Sequence, residues 1–238
     1  MNSVVSNLIQ SPTFIGVRSF TRKFEIGRKL LQLIASSING KYEDGFQKVM
    51  LDNIQASDTI WDIGANVGFY TEKFLQIIDA SGQVVAVEPS PSSAEKCREL
   101  AHKNSNLTVI EAAIGSYSGE AHLVIEEEST SPTNHISNSS ENSVSVSLMT
   151  GDVLLKETKA SPNLIKIDVE GFEIDVLKGM PQVLSSPELR SVFVEVHSKL
   201  LEENGYRNGP KLIAQILGGA GFQTKWIDFS HIVGLKPY

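Results

Sequence analysis

Four short runs carry residue types that do chemistry, and each falls where an apolar stretch gives way to a turn. The first is Asp62-Ile63-Gly64-Ala65-Asn66-Val67-Gly68. Its glycines permit a tight turn and the close approach of a ligand to the backbone. The second is Glu88-Pro89, which ends the branched run Val84-Val85-Ala86-Val87. A carboxylate there can accept two hydrogen bonds from a ribose diol, as acids at this position do in nucleotide-binding α/β folds. The third, Lys166-Ile167-Asp168-Val169-Glu170-Gly171-Phe172-Glu173, crowds three carboxylates at one strand exit. Like charges so close raise one another's pKa, which prepares a base or holds a cation. The fourth is Val194-Glu195-Val196-His197, whose alternation sends Glu195 and His197 to one face.

Each run also has a structural reading: a glycine turn with a capping asparagine, an exposed strand-end acid, glutamates favouring a helix N-terminus, a structural histidine. The spacing of the glycine turn and Glu88 favours a nucleoside. Which nucleoside follows from what is missing. A dinucleotide fingerprint needs glycines at positions 64, 66 and 69, but Asn66 and Phe69 occupy the last two, and no Gly-Lys-Ser/Thr follows for a phosphate loop. An acid ahead of the glycines would repel pyrophosphate and suits the amino group and sulfonium of S-adenosylmethionine. Asp62, Gly64, Ala65, Asn66, Gly68, Glu88, Pro89 and Asp168 are therefore candidate cofactor-binding residues. His197, expected beside Asp168 at one rim, is a candidate general base. His102, His122, His135 and His231 are assigned no role.

The elements that position these runs alternate. Strands are expected at 59–63, 84–87, 107–110, 164–167 and 192–196, with helices at 69–78, 91–104, 174–184 and 210–217. An antiparallel pair at 223–227 and 232–235 closes the chain, and an extra strand is expected at 121–125. Interleaved strands and helices imply a doubly wound, mostly parallel α/β sheet with ligands at the strand carboxyl ends. Before it, apolar spacing predicts helices at 22–38 and 46–54, so 1–57 reads as a helical extension and 58–238 as the cofactor-binding domain. Residues 126–143, rich in Ser, Asn and Glu, read as a long exposed loop near the acceptor.

Composition narrows the classes. With 238 residues, 41% hydrophobic and 21% charged, the chain is an ordinary globular one. A net charge of -7 argues against a nucleic-acid partner, and Arg18, Arg22, Lys23, Arg28 and Lys29 read as a solvated helix face. A single cysteine, Cys97, suits a reducing cytoplasm. No apolar run is long enough to span a bilayer, so no membrane partner is expected.

Asp62 to Gly68, Glu88-Pro89, Ala112-Ala113-Ile114-Gly115, Lys166 to Glu173 and Glu195-Val196-His197 resemble, in order and spacing, the FkbM family of methyltransferases. The resemblance covers about Asp58 to Phe222. Its most specific part is Lys-Ile-Asp-Val-Glu-Gly; Gly-x-Asn-x-Gly is shared more widely among methyltransferases. It implies a class I, Rossmann-like fold that uses S-adenosylmethionine, adds Ala112 and Ala113 to the cofactor-binding set, and implies methyl transfer to oxygen on sugars, polyketides or other secondary metabolites. One departure is Thr150-Gly151-Asp152, where the family usually has Leu before Asp; a glycine there could loosen the turn that holds Asp152. The N-terminal helices and the 126–143 segment fall outside the resemblance or in its variable part, where substrate choice would be shaped.

Methyl transfer is an in-line displacement, so the enzyme mainly aligns an acceptor with the sulfonium methyl. A small-molecule or glycan hydroxyl must also lose its proton, and His197 is the first candidate to take it, with Glu170 and Asp168 next. No metal site is assigned; the alternative is a Mg²⁺ held by Asp168 and Glu195 that lowers the acceptor's pKa. Two other classes stay open at this point: a nicotinamide-dependent oxidoreductase and a non-catalytic nucleoside-binding module.

Overall fold

Branched apolar residues make the strands: Val84–Val87, Leu164–Ile167 and Ser191–Val194 are buried at every position, as in strands covered on both faces. The computed structural model describes residues 45–124, 135–137 and 143–237. Its strands are β1 Thr59–Ile63, β2 Gln83–Val87, β3 Leu107–Ile110, β4 Ala113–Ile114, β5 Gly119–Val124, β6 His135–Ser137, β7 Ser143–Met149, β8 Leu164–Ile167, β9 Ser191–Glu195, β10 Gln223–Trp226 and β11 His231–Leu235. Seven form one sheet of order β10-β11-β9-β8-β1-β2-β3. From β3 to β9 every pairing is parallel, while β11 runs antiparallel to β9 and β10. The mostly parallel sheet and the closing antiparallel pair are those expected.

The flanking helices are α1 Phe69–Ile77, α2 Pro91–Ala101, α3 Gly151–Thr158, α4 Glu173–Lys178, α5 Pro181–Ser185, α6 Ser198–Glu203 and α7 Gly209–Gly219. The core between them and the sheet holds Trp61, whose Nε1 donates to the Ala160 carbonyl at 3.0 Å, with Ile165, Leu177 and Val194 fully buried around it. The single helix expected at 174–184 is two, broken where Pro181 opens α5. Proline lacks the N–H that would continue the first helix. The Gly179 turn cannot carry a side chain, since a Cβ would stand 1.9 Å from the Gly115 carbonyl oxygen.

A second, four-stranded sheet of order β4-β7-β5-β6 takes in the extra strand expected at 121–125, here β5, and enters the segment expected as a loop at β6 and Ser143. β5 pairs antiparallel with both β6 and β7, and β4 runs parallel to the end of β7. Residues 135–137 and Ser143 are thus strand, which corrects the loop reading there; 126–134 and 138–142 lie outside the described residues. The sheet has its own small core of Ala113, Ala121, Leu123, Val146 and Leu148. The helix expected at 22–38, with the basic residues from Arg18 to Lys29, also lies outside the described residues, while 45–52 are helical. Among the described residues no helix is long and apolar enough to cross a membrane.

Candidate active site

The sheet order reverses between β1 and β8, where a crevice opens at the strand carboxyl ends. Asp168 N donates to the Ile63 carbonyl at 3.0 Å, and Gly64 N to the Val87 carbonyl at 2.9 Å, so three strand ends are laced together. Gly64 has φ +80°, and a Cβ on it would stand 1.8 Å from the Asp168 carbonyl oxygen. Only glycine fits there. Asn66 also takes a left-handed conformation (φ 49°), which asparagine tolerates. Its N–H donates to Glu88 Oε2 at 2.8 Å, and Ser90 N donates to Oε1 at 2.9 Å. Burial raises the Glu88 pKa, partly offset by these two N–H donors.

Under the loop lies a buried charge. Asp62, fully buried, accepts from Thr71 Oγ1 at 2.7 Å, and Lys166 Nζ stands 3.3 Å from its other oxygen as an ion pair without hydrogen-bond alignment. Lys166 also reaches Asp168 Oδ2 at 3.4 Å. Burial alone would lower the Lys166 pKa, but the charges of Asp62 and Asp168 outweigh it and hold the ammonium protonated.

At the far side of the crevice, His197 is ringed by acids. Its Nδ1 is 2.7 Å from Glu173 Oε1, and its Nε2 is 3.1 Å from Glu170 Oε2, 3.8 Å from Glu195 Oε1 and 4.0 Å from Asp168 Oδ1. Burial would depress the imidazole pKa, but the Glu173 hydrogen bond and the charges of Glu170, Glu173 and Asp168 lift it to about 9. Desolvation raises both Asp168 and Glu170, against the pull of Lys166 on the first and of His197 on the second. Glu170 has φ 49° and Gly171 φ 92°, a left-handed pair that turns the chain out of β8. A non-glycine residue in that region costs on the order of 1 kcal/mol, which here aims the Glu170 side chain at His197.

A cleft joins these parts, with Gly64, Asn66, Glu88, Pro89, Ala112, Ala113, Asp168 and Glu170 on its walls. A family model described as the methyltransferase FkbM domain matches residues 62–224. The chain belongs to the FkbM methyltransferase family. It is 26% identical over 218 residues to a hexuronic acid methyltransferase, AglP, of Haloferax volcanii, covering 91% of this chain and 84% of that one. A solved structure of a candidate O-methyltransferase from Klebsiella pneumoniae superposes with TM-score 0.51 at 13% identity, covering 82% of this chain and 80% of that one. The latter likeness is one of fold. The chain is thus an S-adenosylmethionine-dependent methyltransferase with a class I, Rossmann-like sheet.

In this FkbM methyltransferase not every expected residue reaches the cleft. Asp62, Ala65 and Gly68 do not line it: Asp62 is the buried partner of Lys166, Ala65 N donates to the Val87 carbonyl at 3.1 Å, and Gly68 precedes α1 with φ 88°. His197 lies against Glu170 and is not itself a wall. Leu123 and Phe172 are walls that sequence reasoning missed. Phe172 sat inside a motif whose carboxylates drew attention, and Leu123 belongs to the second sheet. His231, assigned no role, joins the acid cluster, with Nε2 3.5 Å from Glu195 Oε2. The departure at Gly151 does not loosen Asp152: its Oδ1 accepts from Gln182 N and Val183 N, both at 3.1 Å, at the start of α5. A Cβ at Gly151 would meet Met180 Cβ at 2.6 Å, so the glycine is what lets this turn close.

Proposed function

We propose that the enzyme transfers the methyl group of S-adenosylmethionine to a hydroxyl oxygen of a sugar or other small molecule. The observation that carries this is the arrival of two acids, Asp168 and Glu170, on the wall of the same cleft as Glu88 and the glycine turn. Glu88 takes the ribose diol with the lone pairs that Asn66 N and Ser90 N leave open, and Ala112 and Ala113 offer a small, apolar wall for the base. Asp62 acts from beneath by fixing Lys166, and Lys166 orients Asp168.

The proton on the acceptor goes to Glu170 in this reading. His197, with a pKa near 9, is an imidazolium at neutral pH and has no lone pair to offer. It serves by pinning Glu170 between itself and the cleft. The relative from Haloferax volcanii is named for a hexuronic acid, which supports a glycan or uronic-acid acceptor. The test is a panel of methyl glycosides, free uronic acids and phenols incubated with S-adenosylmethionine carrying a deuterated methyl, read by mass spectrometry. A product with the label on oxygen is expected; label on nitrogen, or bound cofactor without transfer to any member, overturns the reading.

One observation favours a second route. Ligand atoms of Asp168, Glu170 and His197 lie within 4.8 Å of one another, close enough to share a divalent cation. A set containing imidazole suits a transition ion better than Mg²⁺. Such a cation would lower the acceptor's pKa. Loss of turnover with chelator and its return with Mn²⁺ or Mg²⁺ would select this route over the proton transfer to Glu170.

A further inference from the structure

Behind the acid cluster stands a buried pair that no sequence motif marked. His231 opens β11 and lies directly across from Glu195 of β9 in the antiparallel register. Its Nδ1 is 2.8 and 2.9 Å from the two oxygens of Asp228, whose side chain is 1% exposed. Asp228 Oδ1 is itself fixed by the backbone N–H groups of Ser230 and His231, at 2.8 and 2.9 Å. The hairpin is tied to the site edge as well, since Val196 N donates to the Ser230 carbonyl at 2.7 Å. From this rigid seat His231 Nε2 faces Glu195 Oε2 at 3.5 Å, while the other Glu195 oxygen faces His197 Nε2 at 3.8 Å.

Burying two charges costs desolvation that an apolar pair of the same volume avoids, so the Asp228–His231 pair is a poor device for stability alone. Orientation is what it supplies. Glu195 is 36% exposed, and its carboxylate would otherwise turn to water. We infer that His231 is a positioning residue: seated by Asp228, it fixes the Glu195 carboxylate and through it keeps the Nε2 edge of His197 turned toward Glu170. The inference rests on the reading that the Glu170–His197 pair serves methyl transfer. The Asp–His–Glu–His series crosses from the closing hairpin to the crevice, and makes β10–β11 part of the working site instead of an edge cover.

The link is tested first without turnover, by the imidazole ¹⁵N signals of His197 in wild type, His231→Ala, His231→Gln and Asp228→Asn at one fixed pH. His197 is expected to shift in His231→Ala and to return toward wild type in His231→Gln, whose amide NH₂ reaches the place of Nε2. With whichever panel acceptor is turned over, His231→Ala is expected to lower kcat by about 10- to 100-fold, the scale of a misaligned group, with KM and cofactor Kd unchanged and His231→Gln recovering most of the loss. A merely structural histidine would lower the melting temperature, leave kcat of the folded enzyme intact and show no rescue by Gln. Should His231→Ala fail to fold, Asp228→Asn, which keeps both side-chain volumes, carries the same comparison. If no acceptor is turned over, the hydroxyl-transfer reading fails while the ¹⁵N signals still decide the link. A folded variant that leaves the His197 signals unmoved overturns the inference.

Discussion

Glu173, fully buried, holds His197 at two points: its Oε1 lies 2.7 Å from the imidazole Nδ1 and accepts from the His197 backbone N–H at 3.4 Å. The same oxygen accepts from Gly171 N at 3.0 Å. One carboxylate therefore ties the left-handed turn after β8 to the histidine after β9. Glu173→Gln leaves the turn bond but removes the charge that favours the imidazolium. Its expected effect is a His197 pKa lowered from about 9, read by NMR titration; an unchanged value would deny Glu173 this part.

Glu170→Gln is expected to lower kcat by about 10²–10⁴-fold, the usual scale for a lost general base, with cofactor affinity unchanged in calorimetry. The pH profile separates the candidates. If Glu170 accepts the proton, kcat/KM rises through the acid range, above the ordinary glutamate value of 4.5 because Glu170 is desolvated. It then falls as His197 deprotonates near 9. If His197 is the base, kcat/KM keeps rising until about pH 9.

Glu88→Ala is expected to weaken S-adenosylmethionine binding by about 1.5–3 kcal/mol, the range for a lost hydrogen bond involving a charged group. Equal affinity in a folded variant would move the ribose elsewhere. Gly64→Ala is the harsher change, because its Cβ meets backbone 1.8 Å away and φ is +80°. A loss of about 2 kcal/mol or more of stability is expected, typical of strain at a special backbone position, together with lost cofactor binding.

Stability should fall with alkaline pH. His197 and His231 are both raised from 6.5 to about 9 in the folded chain. The native state therefore binds these two protons more tightly than the unfolded one. The contribution is fully present below pH 6.5 and is lost as pH rises through about 9. Each imidazole contributes at most about 3 kcal/mol by the size of the shift. Urea midpoints between pH 6.5 and 9.5 should drop for wild type and stay flatter in the His197→Gln, His231→Gln double variant; parallel curves would remove the linkage.

Asp152→Ala removes the acceptor for two N–H groups at the start of α5. It is expected to cost about 1–2 kcal/mol, as lost helix caps do, without change in cofactor affinity. Thermal denaturation and calorimetry check the two halves.

What could be read from residues alone follows the physics that made it readable. Strands β1, β2, β8 and β9 are short apolar runs ending in turn chemistry, so Gly64, Glu88, Asp168 and His197 could all be placed on one rim. The second sheet was harder. β7 alternates Ser and Val, and its Val146 and Leu148 are buried while Ser145 and Ser147 are not; that period-two signal was present but overshadowed by the polar stretch before it. The surroundings of Asp62 were legible only in part. Strand position told that it lay near the glycines, but only the parallel register beside Lys166 reveals that it faces a buried ammonium. His231 was beyond reach because its partner Glu195 is distant in the chain and meets it only through strand pairing.

Within the second sheet, Ala113 and Ile114 of β4 pair with Leu148 and Met149 of β7, and Ala112 and Ala113 also line the cleft. Gly115 N donates to the Met149 carbonyl just beyond that two-residue seam, and Leu123 of β5 adds a second wall to the cleft from the same sheet. Chain inserted between β6 and β7 leaves the seam's hydrogen bonds, and hence the wall made by Ala112 and Ala113, in register. The arrangement makes the outer connection of the second sheet an interchangeable fitting, free to change in length or chemistry while the Gly64 and Glu88 walls of the cleft stay as they are.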